Sequence, residues 1–92
     1  MSYVSLDTGV IVEYVDLNGA FHRQAEAIIE NVLARRLLAV IAHPILAETY
    51  HVSLRLYEKL GMEKPEDRAE KLVRWLYRSP NFEIAEPSLE LA

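Results

Sequence analysis

The chain has no cysteine, which excludes a disulfide framework, a thiolate metal site and a cysteine nucleophile. Three glycines and four prolines are scattered over 92 residues, so there is no glycine-rich phosphate loop and no low-complexity tract. No apolar run reaches membrane-spanning length, and the first apolar segment contains Asp7 and Glu13, too short and too charged for a signal peptide. No membrane association is expected, and the cytoplasm is the expected compartment. A basic excess is missing too: ten Lys and Arg against fourteen Asp and Glu leave a net charge of -4. That argues against a protein holding nucleic acid by bulk electrostatics. It leaves room for an enzyme acting on nucleic acid through carboxylate-bound metal ions, because such cations reverse the local field. There is no solenoid-like repeat, no nucleophile elbow and no zinc-ligand spacing.

What is present is an ordinary globular composition, 51% hydrophobic, with enough chain for one small domain. Val4 to Leu6 reads as a buried strand, and Thr8 is placed to cap a helix carrying Val10, Ile11, Tyr14 and Val15. Asn18-Gly19 stops that helix. A second helix is expected from about Ala20 to Arg36, with Phe21, Ala25, Ile28 and Val32 on one stripe and two arginines suiting its negative end. Leu37 to Ile41 is a second strand. Pro44 opens a third helix with Leu46, Tyr50, Leu54 and Tyr57 on one side, ending at Gly61. A fourth helix starts at Lys64-Pro65-Glu66-Asp67 and breaks at Ser79-Pro80-Asn81, Phe82 to Ile84 is a third strand, and Glu86-Pro87-Ser88 begins a further helix. Strands alternating with helices imply an α/β fold, a short parallel sheet flanked by helices in three layers.

Asp7 and Glu48 are the candidate chemical pair. Asp7 leaves the first strand directly into a helix, which puts it at the carboxyl edge of the sheet, where open α/β folds bind ligands. Glu48 lies in the first turns of the third helix, just past the second strand. Two hard oxygen donors suit Mg²⁺ or Mn²⁺; the structural reading of the same residues is a helix cap and a surface acid. Glu48-Thr49-Tyr50-His51 also fits the Glu-x-x-His pattern of di-iron bundles, but only one copy exists and the chain alternates strands with helices. His51 is expected half-buried beside the site, His22 on a polar helix face, and His43 as a cap. Lys71, Arg74 and Arg78 share one side of the fourth helix and suit either a phosphate backbone or pairing with Asp67 and Glu70.

In order and separation, Leu6-Asp7-Thr8 with the apolar helix behind it, Ala42-His43-Pro44-Ile45-Leu46-Ala47-Glu48, and the pattern through Asn81-Phe82-Glu83-Ile84 resemble the PIN domain, the metal-dependent ribonuclease module of many prokaryotic toxin–antitoxin pairs. The resemblance spans the chain and implies a single PIN-like domain over residues 1–92, incomplete at its C-terminal end. By it, Asp7 and Glu48 match the first two acids of the family's cluster and Thr8 a supporting hydroxyl. Mg²⁺ or Mn²⁺ is the implied cofactor, RNA the implied substrate and an antitoxin a possible partner. The family's further aspartates and last strands have no match here, which leaves the first strand an open edge and makes a homo-oligomer the expectation. The competing reading is a non-catalytic PIN-derived module that binds a partner chain.

Overall fold

The computed structural model describes residues 2–86. Its elements run β1 (Ser2–Ser5), α1 (Thr8–Val15), α2 (His22–Leu33), β2 (Leu37–Ala42), α3 (His43–Lys59), α4 (Pro65–Arg78) and β3 (Phe82–Ala85). The expected alternation is there: a three-stranded parallel sheet of order β1-β2-β3 with four helices, consistent with a short three-layer α/β fold. The further helix expected from Glu86 lies beyond the described residues.

Register decides which side chains meet. Val4 pairs with Ala39, Ala39 with Phe82, and Ile41 with Ile84. Because side chains alternate along each strand, these five residues share one face of the sheet. They join Leu6, Ile11, Ile29, Val32, Leu72 and Leu76 in one core. The opposite face bears Tyr3 and Leu38, 68% and 40% exposed, and the exposed Glu83.

Two helix ends differ in residue and agree in geometry. α3 stops as expected at Gly61, whose φ of 68° is left-handed. The Gly61 N–H donates to the Glu58 carbonyl and the Met62 N–H to the Tyr57 carbonyl, both at 3.0 Å. α2 ends earlier than its arginines suggest, at Leu33, through the same motif. Arg35 takes φ 62°, and the Arg36 N–H reaches back to the Asn31 carbonyl at 2.9 Å. Arg35 and Arg36 are therefore the stop and not the last helical turn; the sequence hid this because arginine occupies a place usually held by glycine. A left-handed non-glycine residue costs roughly 1–2 kcal/mol, against glycine's greater unfolded freedom of roughly 0.5–1 kcal/mol. Arg35→Gly should therefore raise the denaturant midpoint; a lowered midpoint would contradict the motif.

The loop between α1 and α2 is tied down by the side chains of His22 and Glu13. His22, expected on a polar face, is largely buried: its Nδ1–H donates to the Glu13 carbonyl at 2.8 Å and its Nε2 lies 3.3 Å from Glu26. Glu13 in turn accepts from the Phe21 N–H at 3.3 Å. Its carboxylate crosses over Gly19, where any Cβ would collide with it.

Tyr57 is buried under α4, and that burial pushes its hydroxyl above the ordinary 10.0, with the Arg68 guanidinium pulling the other way. A raised folded value favours the protonated form in the native state. Stability from this source is therefore complete below pH 10.0 and lost as pH rises from there through the folded value. Tyr57→Phe should flatten alkaline unfolding curves above pH 10 relative to the native chain.

Candidate functional site at the carboxyl edge of the sheet

The site is assembled by two neighbouring strand ends. Ser5 pairs with Val40, and the Leu6 N–H donates to the Val40 carbonyl at 2.9 Å. The chain therefore leaves β1 and β2 side by side at one edge, entering α1 after Asp7 and α3 after Ala42. These two helices pack against each other.

Asp7 is extended, with φ -102° and ψ 175°, and it caps α1: its Oδ1 accepts from the Val10 N–H at 3.0 Å. Cap formation fixes the carboxylate and occupies one of its oxygens. Glu48 sits five residues into α3, about 7.5 Å along the axis, and is exposed like Asp7. One turn after Glu48 on the same helix face, Val52 joins Asp7, Val10, Glu13, Phe21 and Ala25 in lining a groove of about 490 Å³. Asp7 thus stands at the start of α1 and Glu48 in the second turn of α3, on two packed helices, and the groove beside Asp7 reaches the α3 face one turn beyond Glu48.

Thr8 does not cap α1, as the sequence suggested. It is the first helical residue, because Asp7 before it has the extended backbone and the better-placed oxygen. Its hydroxyl is buried with no hydrogen-bond partner among the described residues, and so is that of Thr49, the residue after Glu48. Each candidate acid is therefore followed by an orphaned hydroxyl, an arrangement that costs stability unless a further group satisfies it. Sequence reading missed Thr49. Its signal is the spacing Leu46, Thr49, Ser53, Tyr57, all buried, in which small polar residues hold core positions of the helix.

The histidines separate. His43 is not a cap: Ala42 precedes α3 without a side-chain bond, and His43 lies 3.9 Å from Glu86. His51, expected half-buried beside the acids, is exposed and turned toward α4, edge-on to Tyr50. Lys71, Arg74 and Arg78 do line one shallow depression with Trp75 and Ser79, and Arg74 is paired with Glu70.

Among the described residues no group of three or more His, Cys, Asp or Glu converges on one point. Asp7 and Glu48 alone would hold Mg²⁺ only weakly, because the ion gives up its waters reluctantly and would need further oxygen ligands such as substrate phosphates. No helix among the described residues is long and apolar enough to cross a membrane. No protein-family model, curated protein or solved structure matches the chain.

Proposed function

We propose that the chain is a PIN-like, metal-dependent endoribonuclease, in which Asp7 and Glu48 hold Mg²⁺ or Mn²⁺ at the carboxyl edge of the sheet. The observation that supports this reading is that β1 and β2 are adjacent and parallel and run into packed helices, α1 starting after Asp7 and α3 carrying Glu48 in its second turn. A bound divalent ion there supplies an activated water and charge neutralisation at a phosphoryl group. Asp7 contributes a carboxylate already oriented by its own cap bond. Glu48 contributes a flexible, solvated carboxylate that turns toward the cation. Thr8 and Thr49 follow the two acids in sequence, with hydroxyls that are buried and unpaired among the described residues. In this reading the domain is cytoplasmic, and an antitoxin would cover the groove beside Asp7.

The test is cleavage of a fluorescent single-stranded RNA with Mn²⁺ present and again with excess EDTA. Cutting that stops with EDTA supports the proposal; equal cutting under both conditions refutes it. No cutting with Mn²⁺ favours the non-catalytic partner-binding module. Glu48→Gln should weaken Mn²⁺ binding about tenfold or more by calorimetry, since one of two anionic ligands is lost.

A further inference from the structure

α3 and α4 pack along each other, and the seam between them opens into a groove of about 590 Å³. That volume lies within the range of about 300–1,000 Å³ usual for ligand pockets. Leu46, Ala47 and Val73 give the groove its apolar lining, and Tyr50, His51 and Tyr77 give it three rings. Tyr50 and His51 stand edge to face with 5.4 Å between ring centres, and Tyr77 is 60% exposed.

The ionisable side chains of the groove besides the tyrosines are His51, Glu70, Arg74 and Arg78. Glu70 is engaged by Arg74. Arg78 has no acidic partner among the described residues, and neither has Lys71, which the spacing offered to Asp67. Arg74 and Arg78 also line the neighbouring shallow depression, where Lys71 joins them. The two hollows together hold three Lys and Arg against one acid, on a chain whose net charge is -4. This strip of α4 is therefore opposite in sign to the molecule as a whole.

We infer that this groove binds an unpaired stretch of RNA, with phosphates on Arg78 and Lys71 and a base stacked on Tyr77. The inference rests on the endoribonuclease reading above and adds where the strand is held. Cations of this kind position a backbone without reading its sequence, and aromatic faces stack bases of any identity. A duplex keeps its base faces inside its own stack, so it could use the arginines but not the rings. An acidic peptide would suit the charge equally; the three rings favour the nucleic acid. Ala47 directly precedes Glu48 and His51 follows it by three residues, so the groove reaches the turn of α3 that carries that acid.

Binding can be measured apart from cleavage. In EDTA, fluorescence anisotropy of a labelled single-stranded RNA should saturate with the native chain, and the same strand annealed to its complement should bind more weakly. Tyr77→Ala removes the stacking face and should raise Kd about fivefold or more. Arg78→Gln breaks no ion pair among the described residues. It should raise Kd and lower the slope of log affinity against log salt by about 0.7, the share of one phosphate on a single strand. Lys59→Gln, an equal loss of charge at the exposed end of α3, should leave Kd and slope unchanged.

No binding by the native chain overturns the proposal. So does native-like binding by both Tyr77→Ala and Arg78→Gln, or equal affinity for the duplex. Capture of oligoglutamate with no RNA bound also overturns it, giving the groove to an acidic peptide. RNA held through these residues but left uncut with Mn²⁺ refutes the nuclease reading and leaves the groove standing. Mn²⁺-dependent cutting by a chain whose groove variants bind as the native one does removes the groove alone.

Discussion

Replacing Asp7 by Asn should lower Mn²⁺-dependent RNA cleavage by a hundredfold or more and leave the fold's stability nearly unchanged. The two halves of this expectation have separate physical sources. Asn caps a helix about as well as Asp, so its side-chain oxygen can still accept from the Val10 N–H as the Asp7 Oδ1 does. The stability change should stay within about 0.5 kcal/mol. A cation, in contrast, loses one of the two anionic ligands proposed for it. Metal-ion stabilisation of a phosphoryl transition state is worth several kcal/mol, and about 2.7 kcal/mol already corresponds to a hundredfold. Single-turnover cleavage and a thermal melt on the same preparation check both halves. Cleavage at the native rate with an unchanged melt would remove Asp7 from the chemistry and leave it only a cap.

Leu76→Ala is expected to be the most damaging of the stability substitutions, costing about 3 kcal/mol. Leu76 is 0% exposed on α4 and belongs to the core that joins the helices to the sheet. Its neighbour in sequence, Trp75, is held between the Tyr14 ring, stacked at 6.1 Å, and the Phe82 ring, edge-on at 5.1 Å. A fully buried leucine in such a core leaves a cavity that its neighbours fill only in part, which adds to the lost transfer energy. A domain of this size has only about 5–15 kcal/mol in total, and the loss would be read directly as a lower urea midpoint. A cost under about 1 kcal/mol would mean that α4 does not pack on the sheet as described.

Much of this architecture was legible in the residue pattern. The bounds of α3, α4 and β2 follow the residue pattern closely, and Gly61 marks the end of α3 as expected, although the buried side of α3 runs through Thr49 and Ser53 in place of Tyr50 and Leu54. Errors gathered where a local signal has two physical meanings. Both Asp7 and Thr8 are good capping residues, and only the backbone shows that the helix begins after Asp7. Arginines near a helix end suit its dipole, yet Arg35 adopts the left-handed turn that terminates the helix. His22 looks like a surface residue in one dimension; it is partly buried because the chain doubles back and offers it the Glu13 carbonyl.

The amino-acid sequence by itself determined the alternation of strands and helices, the two acids at element boundaries and the absence of cysteine chemistry, because hydrophobic period and capping preference are local properties. Tertiary structure alone decided the strand order and register and that, among the described residues, Thr8 and Thr49 bury unpaired hydroxyls next to the acids in sequence. Those facts depend on strand pairing and helix packing, which are fixed by contacts between residues far apart in the chain and leave no local periodic trace.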